Sequence, residues 1–377
     1  MTFAISILVI GINLNNFGFK ANPIEKAILA IACLFLLRCH PPKRSSIALF
    51  FSIMIITLLS AVMTDYVGFS WGTYASGLIS LAVPMMFLMC SPPPRTKRFI
   101  LQWILALPFL YLGFGVLLQL AGIREIMRAD FLGVTRLSGS TQAAYLSAAS
   151  AAGVLAAIVL GSKTGNLRYY LWAAICAGVC ALAGGRMAFA IMLLNALPLF
   201  YFGSRGNATF KFIATYVGAF LAIVGLFFVS NTIIARFSSG SESGRDLIRE
   251  FLEDIAASYS QWGVGLGHQY IIFPEDLTLK VATVAAHDEY LRFAVELGSV
   301  LSVVFFCLLA LLLFIRANQS VVTNRWGYWI AGLSLFIYSM TDNAFSAAPI
   351  FFLVLVGIYG CSEPVAYAPS RRMKRGQ

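Results

Sequence analysis

Residues 285–315 read AAHDEYLRFAVELGSVLSVVFFCLLALLLFI, and the two parts of this stretch ask for different surroundings. His287, Asp288, Glu289, Tyr290, Arg292 and Glu296 crowd the first part, and beyond Gly298 the chain turns apolar as far as Ile315. A hydrocarbon core is crossed by about 20 predominantly apolar residues in a helix. The run over 294–315 is long enough, so the polar cluster stands at the mouth of a membrane span.

The rest of the chain follows the same rule. Of its 377 residues 59% are hydrophobic and 11% charged, against about 25% charged in an ordinary soluble domain. Clear spans cover 46–63, 71–89, 99–121, 143–161, 212–230 and 294–315; weaker ones cover 3–19, 24–37, 170–183, 187–202, 326–340 and 347–361. The expected fold is an all-α polytopic membrane protein of about twelve transmembrane helices. Nine spans lie within 1–230, a long loop follows at 231–293, three spans occupy 294–361, and 362–377 is a basic tail. The first segment lacks the basic start and small-residue cleavage site of a removable signal peptide, so it is read as a retained helix interrupted by Asn13, Asn15 and Asn16. The seven cysteines fall in apolar spans or short basic loops, which leaves no exported disulfide framework; Cys176 and Cys180 share a helix face as small buried residues.

Alternating the loops between two sides separates the charges. One side holds 16 of the 27 basic residues with Glu363 as its sole acid. By the positive-inside rule that side is cytoplasmic, both termini included. The net charge of +11 is thus an orientation signal and an attraction to anionic membrane lipids; it does not describe a nucleic-acid surface. The long loop 231–293 and the next longest, 122–142, lie on the opposite side, away from ATP. No P-loop, Gly-rich dinucleotide turn or Asp-x-Asp pair is present.

The outer loops carry the candidate chemistry. In 241–255 a capping serine precedes apolar residues at 247, 248, 251, 252 and 255, the spacing of one helix face along a membrane surface. Arg245 sits in its first turn, where the helix dipole disfavours a cation unless an anion is near; the alternative is a side chain snorkelling to lipid phosphates. Gly263, Gly265 and Gly267 alternate before His268, as a loop or as a backbone cradle. His287 opens a helical pattern that runs into the span, as a general base for a hydroxyl or as a polar residue at the interface. His287, Asp288 and Glu289 are consecutive and diverge on a helix, so together they hold no metal ion. Arg186 separates two apolar spans with almost no loop and either faces a polar cavity or snorkels outward. Arg136, just before another span, poses the same choice.

In chain order, Arg136-Leu-Ser-Gly139, Gly185-Arg186, Gly244-Arg245, Gly263-Val-Gly-Leu-Gly267 and His287-Asp-x9-Gly298 resemble the O-antigen ligase and polysaccharide polymerase superfamily. Members have about a dozen helices, a large late periplasmic loop, a turn arginine, a loop arginine and a histidine opening a His-Asn/Ser/Gln-x9-Gly-x-x-Gly pattern. Two positions depart from it: Asp288 stands for Asn, Ser or Gln, and Leu301 for the second glycine. The resemblance implies a class C-like glycosyltransferase of the bacterial inner membrane that needs neither nucleotide sugar, metal nor other cofactor. It implies undecaprenyl-diphosphate-linked glycan as donor, and lipid A core or a second glycan lipid as acceptor. It also implies His287 as base and Arg186 and Arg245 on the leaving diphosphate, with Arg136, Asp288, Tyr290, Gly265 and His268 binding substrate. An acid such as Asp288 or Glu289 would orient the imidazole. Ligase and polymerase share this chemistry and differ in acceptor. A glycolipid transporter is the competing class, and would be marked by ionisable residues within its helices and by internal repeats.

Overall fold

The computed structural model describes residues 1–18, 21–129, 134–203, 245–280, 285–319 and 324–362. The described chain is mostly helical. Its elements are α1 (Thr2–Ile12), α2 (Ala21–Cys39), α3 (Arg44–Met63), α4 (Trp71–Met89), α5 (Pro94–Leu120), α6 (Ala143–Thr164), α7 (Arg168–Ala183), α8 (Arg186–Gly203), α9 (Arg245–Ser258), α10 (Glu275–Lys280), α11 (Glu289–Leu297), α12 (Ser299–Gln319), α13 (Arg325–Ser339) and α14 (Ala348–Cys361). A small antiparallel hairpin, β1 (Met127–Ala129) and β2 (Thr135–Leu137), pairs Arg128 with Arg136 between α5 and α6.

Five of these helices, α3, α4, α5, α6 and α12, are long and apolar enough to cross a membrane. Their surfaces fit that solvent. On α3 Phe51, Ile55 and Val62 point away from the protein, as do Val303, Phe314 and the 68% exposed Val300 on α12; apolar faces of this extent need an apolar surrounding. α6 is the opposite case, buried without a break from Leu146 to Ser162 and flanked by α5, α7, α8 and α14. Its alanines, serines and glycines explain the position, because small side chains let neighbouring backbones approach closely where lipid offers no hydrophobic driving force.

Apart from 3–19 and 294–315, each expected span within the described residues coincides with one helix, and the span expected at 212–230 lies outside them. Two expectations are corrected. The segment 3–19 is not one helix: α1 ends at Ile12, Asn13 turns left-handed at φ 55°, and residues Leu14–Phe17 form a 3₁₀ turn. Asn13 and Asn16 both donate their side-chain amides to the Ser140 carbonyl, at 2.9 and 2.8 Å, so the polar residues that end the helix tie it to the turn before α6. The pattern from His287 likewise does not run unbroken into the membrane. α11 stops at Gly298 (φ 82°, ψ 160°), and α12 begins at the next residue. A Cβ at position 298 would lie 2.6 Å from the Gln261 carbonyl oxygen, and Ser299 donates its amide to Ser260 at 2.8 Å. The loop before α11 therefore passes through the break.

Contacts between connections gather at two ends. At one, Lys43 reaches Gln319, Lys97 reaches Ser362, and Arg316 donates to the Leu88 and Cys90 carbonyls. At the other, α1 meets the Ser140 turn, Ser60 reaches Trp262, and Tyr270 reaches Ser346. The second is the end of His287.

Gly298→Ala should destabilise the protein by about 1–3 kcal/mol through backbone strain and crowding. Gly113→Ala, in α5 with open space around it, should be neutral or stabilising by up to about 1 kcal/mol. Thermal unfolding in detergent measures both, and equal shifts would contradict the break as described.

Candidate functional site

The site is built on a buried group of charges. Glu289, Arg292 and Glu296 lie at successive turns of α11, and all three are buried. Arg292 Nη1 donates to Glu289 Oε2 at 2.9 Å, and its Nε stands 3.3 Å from Glu296 Oε2. Burial raises the Glu289 carboxyl above the usual carboxylate range, against the pull of Arg292. Burial also works against charge on the guanidinium, yet Glu289 and Glu296 hold Arg292 firmly protonated. The group reaches outward from its helix. Glu289 Oε1 accepts the Phe345 amide at 2.8 Å, Arg292 Nη1 donates to Ser346 Oγ at 2.5 Å, and Tyr270 donates to the same hydroxyl at 3.2 Å. The turn between α13 and α14 is thereby clamped to α11.

That turn carries Asp342, whose Oδ1 stands 3.5 Å from His287 Nδ1. His287 precedes α11 with φ 51°, a left-handed conformation uncommon outside glycine. Its neighbour explains the bend: Asp288 is the helix cap and accepts the Tyr290 and Leu291 amides at 2.9 and 3.1 Å. An imidazole whose Nδ1 faces a carboxylate presents Nε2 to its surroundings, the orientation a general base requires. Both side chains keep about a fifth of their surface exposed, so a substrate can reach them.

The carboxylate beside the His287 ring is that of Asp342 and not the expected Asp288 or Glu289: Asp288 Oδ1 caps α11, and Glu289 is held by Phe345 and Arg292. Tyr290 is turned into the bundle, donating to the Phe336 carbonyl at 3.1 Å and lying against the Phe306 ring. His268 is fully buried and stacked on Phe69. Its Nε2 accepts the Ser70 amide at 2.8 Å, and its Nδ1 lies 3.1 Å from the Gly265 carbonyl. Both ring nitrogens are therefore occupied by backbone. Gly263, Gly265 and Gly267 all have positive φ, and the amides of Gly263, Val264 and Gly265 donate to Tyr259, Val295 and Glu296. In this conformation the turn is a fitted packing piece against α11, with those amides already taken.

Arg136 and Arg186 flank one turn. Arg136, on β2, donates Nε to the Ala183 carbonyl at 2.8 Å and lies over the Gly184 turn. Arg186 starts α8 two residues later, and Ser147 on α6 receives the Gly185 amide. Tyr145, two residues before Ser147 on α6, lies within electrostatic reach of Asp342. Arg245 begins α9, which packs on α11 through Ile248, Leu252 and Val295. Arg249, one turn on, lies within electrostatic reach of Asp288.

Sequence reading missed Asp342 and the clamp. The signals were present: acids three residues before and four after Arg292, the spacing of ion pairs on one helix face, and an isolated Asp-Asn pair in the short connection between two apolar runs. No protein-family model matches the chain, and no curated protein matches it.

Removing Arg292 leaves two buried carboxylates without their partner, and Arg292→Leu should cost about 3–5 kcal/mol. Adding Glu289→Leu should cost less than the two single effects summed. Thermal unfolding of the four proteins measures this, and additive losses would contradict the clamp.

Proposed function

We propose that the chain is an inner-membrane glycosyltransferase of about twelve spans. It moves a glycan from undecaprenyl diphosphate to an acceptor hydroxyl on the periplasmic face, in the manner of an O-antigen ligase. The observation that carries this reading is the His287–Asp342 pair, 3.5 Å apart at one end of an apolar helical bundle.

In the proposed reaction the acceptor hydroxyl gives its proton to Nε2 of His287 as its oxygen attacks the anomeric carbon. The bond from that carbon to the diphosphate breaks, and the diphosphate leaves with the electron pair. Attack from the opposite face inverts the anomeric centre. Asp342 holds the imidazole and stabilises the imidazolium that forms. Arg186 and Arg245, with Arg136 beside the same turn as Arg186, would offer guanidinium groups to the charge developing on the leaving diphosphate. A polymerase would run the same steps with a second glycan lipid as acceptor.

The test follows undecaprenyl diphosphate release by purified, reconstituted variants present at equal levels. His287→Ala and His287→Asn should lose activity equally, by about 10²–10⁴-fold. Arg186→Ala and Arg245→Ala should each lose about 10²-fold or more. Rescue by Asn would remove proton transfer from the account, and full activity in both arginine variants would remove the diphosphate role.

A further inference from the structure

A cavity of about 200 Å³ lies between α1, α2, α4, α5 and the starts of α6 and α14. It adjoins the clamp: Ser346, the hydroxyl held by Arg292 and Tyr270, lines its wall. Glu25 and Lys26, consecutive on α2, line it too. Neither makes a hydrogen bond or ion pair within the described residues, whereas the charges of α11 are partnered. Tyr111, Tyr145 and Gln142 add further polar groups, and Phe87, Phe345 and Phe351 supply apolar faces.

We propose that this cavity binds one neutral sugar ring. The size falls below the roughly 300 Å³ at which pockets for drug-sized ligands begin, which suits a single ring better than a chain. A pyranose has hydroxyls around its edge and apolar C–H faces, so it needs donors and acceptors on one wall and aromatic surface on another. Glu25 accepts, Lys26 donates, and the phenols do either. A neutral ring also suits the charge: Lys26 lies within electrostatic reach of the Glu25, Glu289 and Glu296 carboxyls and of the Arg292 guanidinium alike, so the cavity presents groups of both signs rather than an anion site. As the subsite for a sugar of donor or acceptor, this inference rests on the transferase reading; as a sugar-binding cavity it stands alone.

The probe is a panel of methyl hexopyranosides and N-acetylglucosamine, read by saturation-transfer difference NMR on the full chain in nanodiscs. At least one neutral sugar should bind, and Glu25→Ala and Lys26→Met should each weaken it about tenfold, the scale of a hydrogen bond to a charged group. Tyr145→Phe, which removes one hydroxyl from the wall, should weaken it threefold or more and serves where the charge variants fail to fold. Cys307→Ser, on an exposed part of α12, should leave it unchanged. Absence of any neutral-sugar signal, signals indifferent to all three cavity variants, or displacement by phosphate or glucuronate would each overturn the proposal. No transfer occurs in this assay, so its failure leaves the transferase reading intact, and failure of that reading leaves a positive result standing.

Discussion

Two carboxylates and one guanidinium, buried together on a nine-residue helix, hold this end of the molecule. Taking three charges out of water is costly, and their mutual attraction offsets that cost only when the geometry is tight and the remaining polar atoms find partners. Here the partners of Glu289 Oε1 and Arg292 Nη1 lie off the helix, while among the described residues the buried Glu296 oxygens have only the ion pair with Arg292. The Phe345 amide and the Ser346 hydroxyl belong to the α13–α14 turn, and Tyr270 belongs to the loop before α11. Separating these three segments would strand buried charge, so they move as one body.

That rigidity bears directly on His287. An imidazole on a loop would sample many orientations; this one is carried by a left-handed residue, precedes a capped helix, and faces an aspartate from the clamped turn. The glycine turn before α11 contributes from below. Its amides grip the last turn of α11, and its histidine locks it to the loop between α3 and α4. Polar groups that look catalytic in a list of residues here divide into those that hold the scaffold and those left facing a cavity.

The division explains how much the sequence could disclose. Membrane-length apolar runs give their helices away, because nothing else accommodates twenty such residues, and the coincidence of helices with the runs follows. Breaks at Asn13 and Gly298 were harder to see, since each depends on a contact more than thirty residues distant in sequence, with Ser140 and with Gln261. Asp288 was expected to bind substrate, and its capping of α11 becomes visible only where that helix is seen to start; the pairing of His287 with Asp342 crosses 55 positions and has no local signature. Glu25 and Lys26 look like ordinary residues at the edge of a span until neighbouring helices close a cavity over them.

The central claim, that this end of the bundle transfers glycan, is tested most directly with the reconstituted wild-type protein. Undecaprenyl-diphosphate glycan is mixed separately with lipid A core and with more of itself, without nucleotide or added metal, and products are resolved by gel. A product with lipid A core, or a ladder without it, is the result the account predicts, and the choice between them assigns ligase or polymerase. Unchanged donor in both mixtures, with labelled lipid crossing the bilayer, would contradict the account and make the protein a transporter.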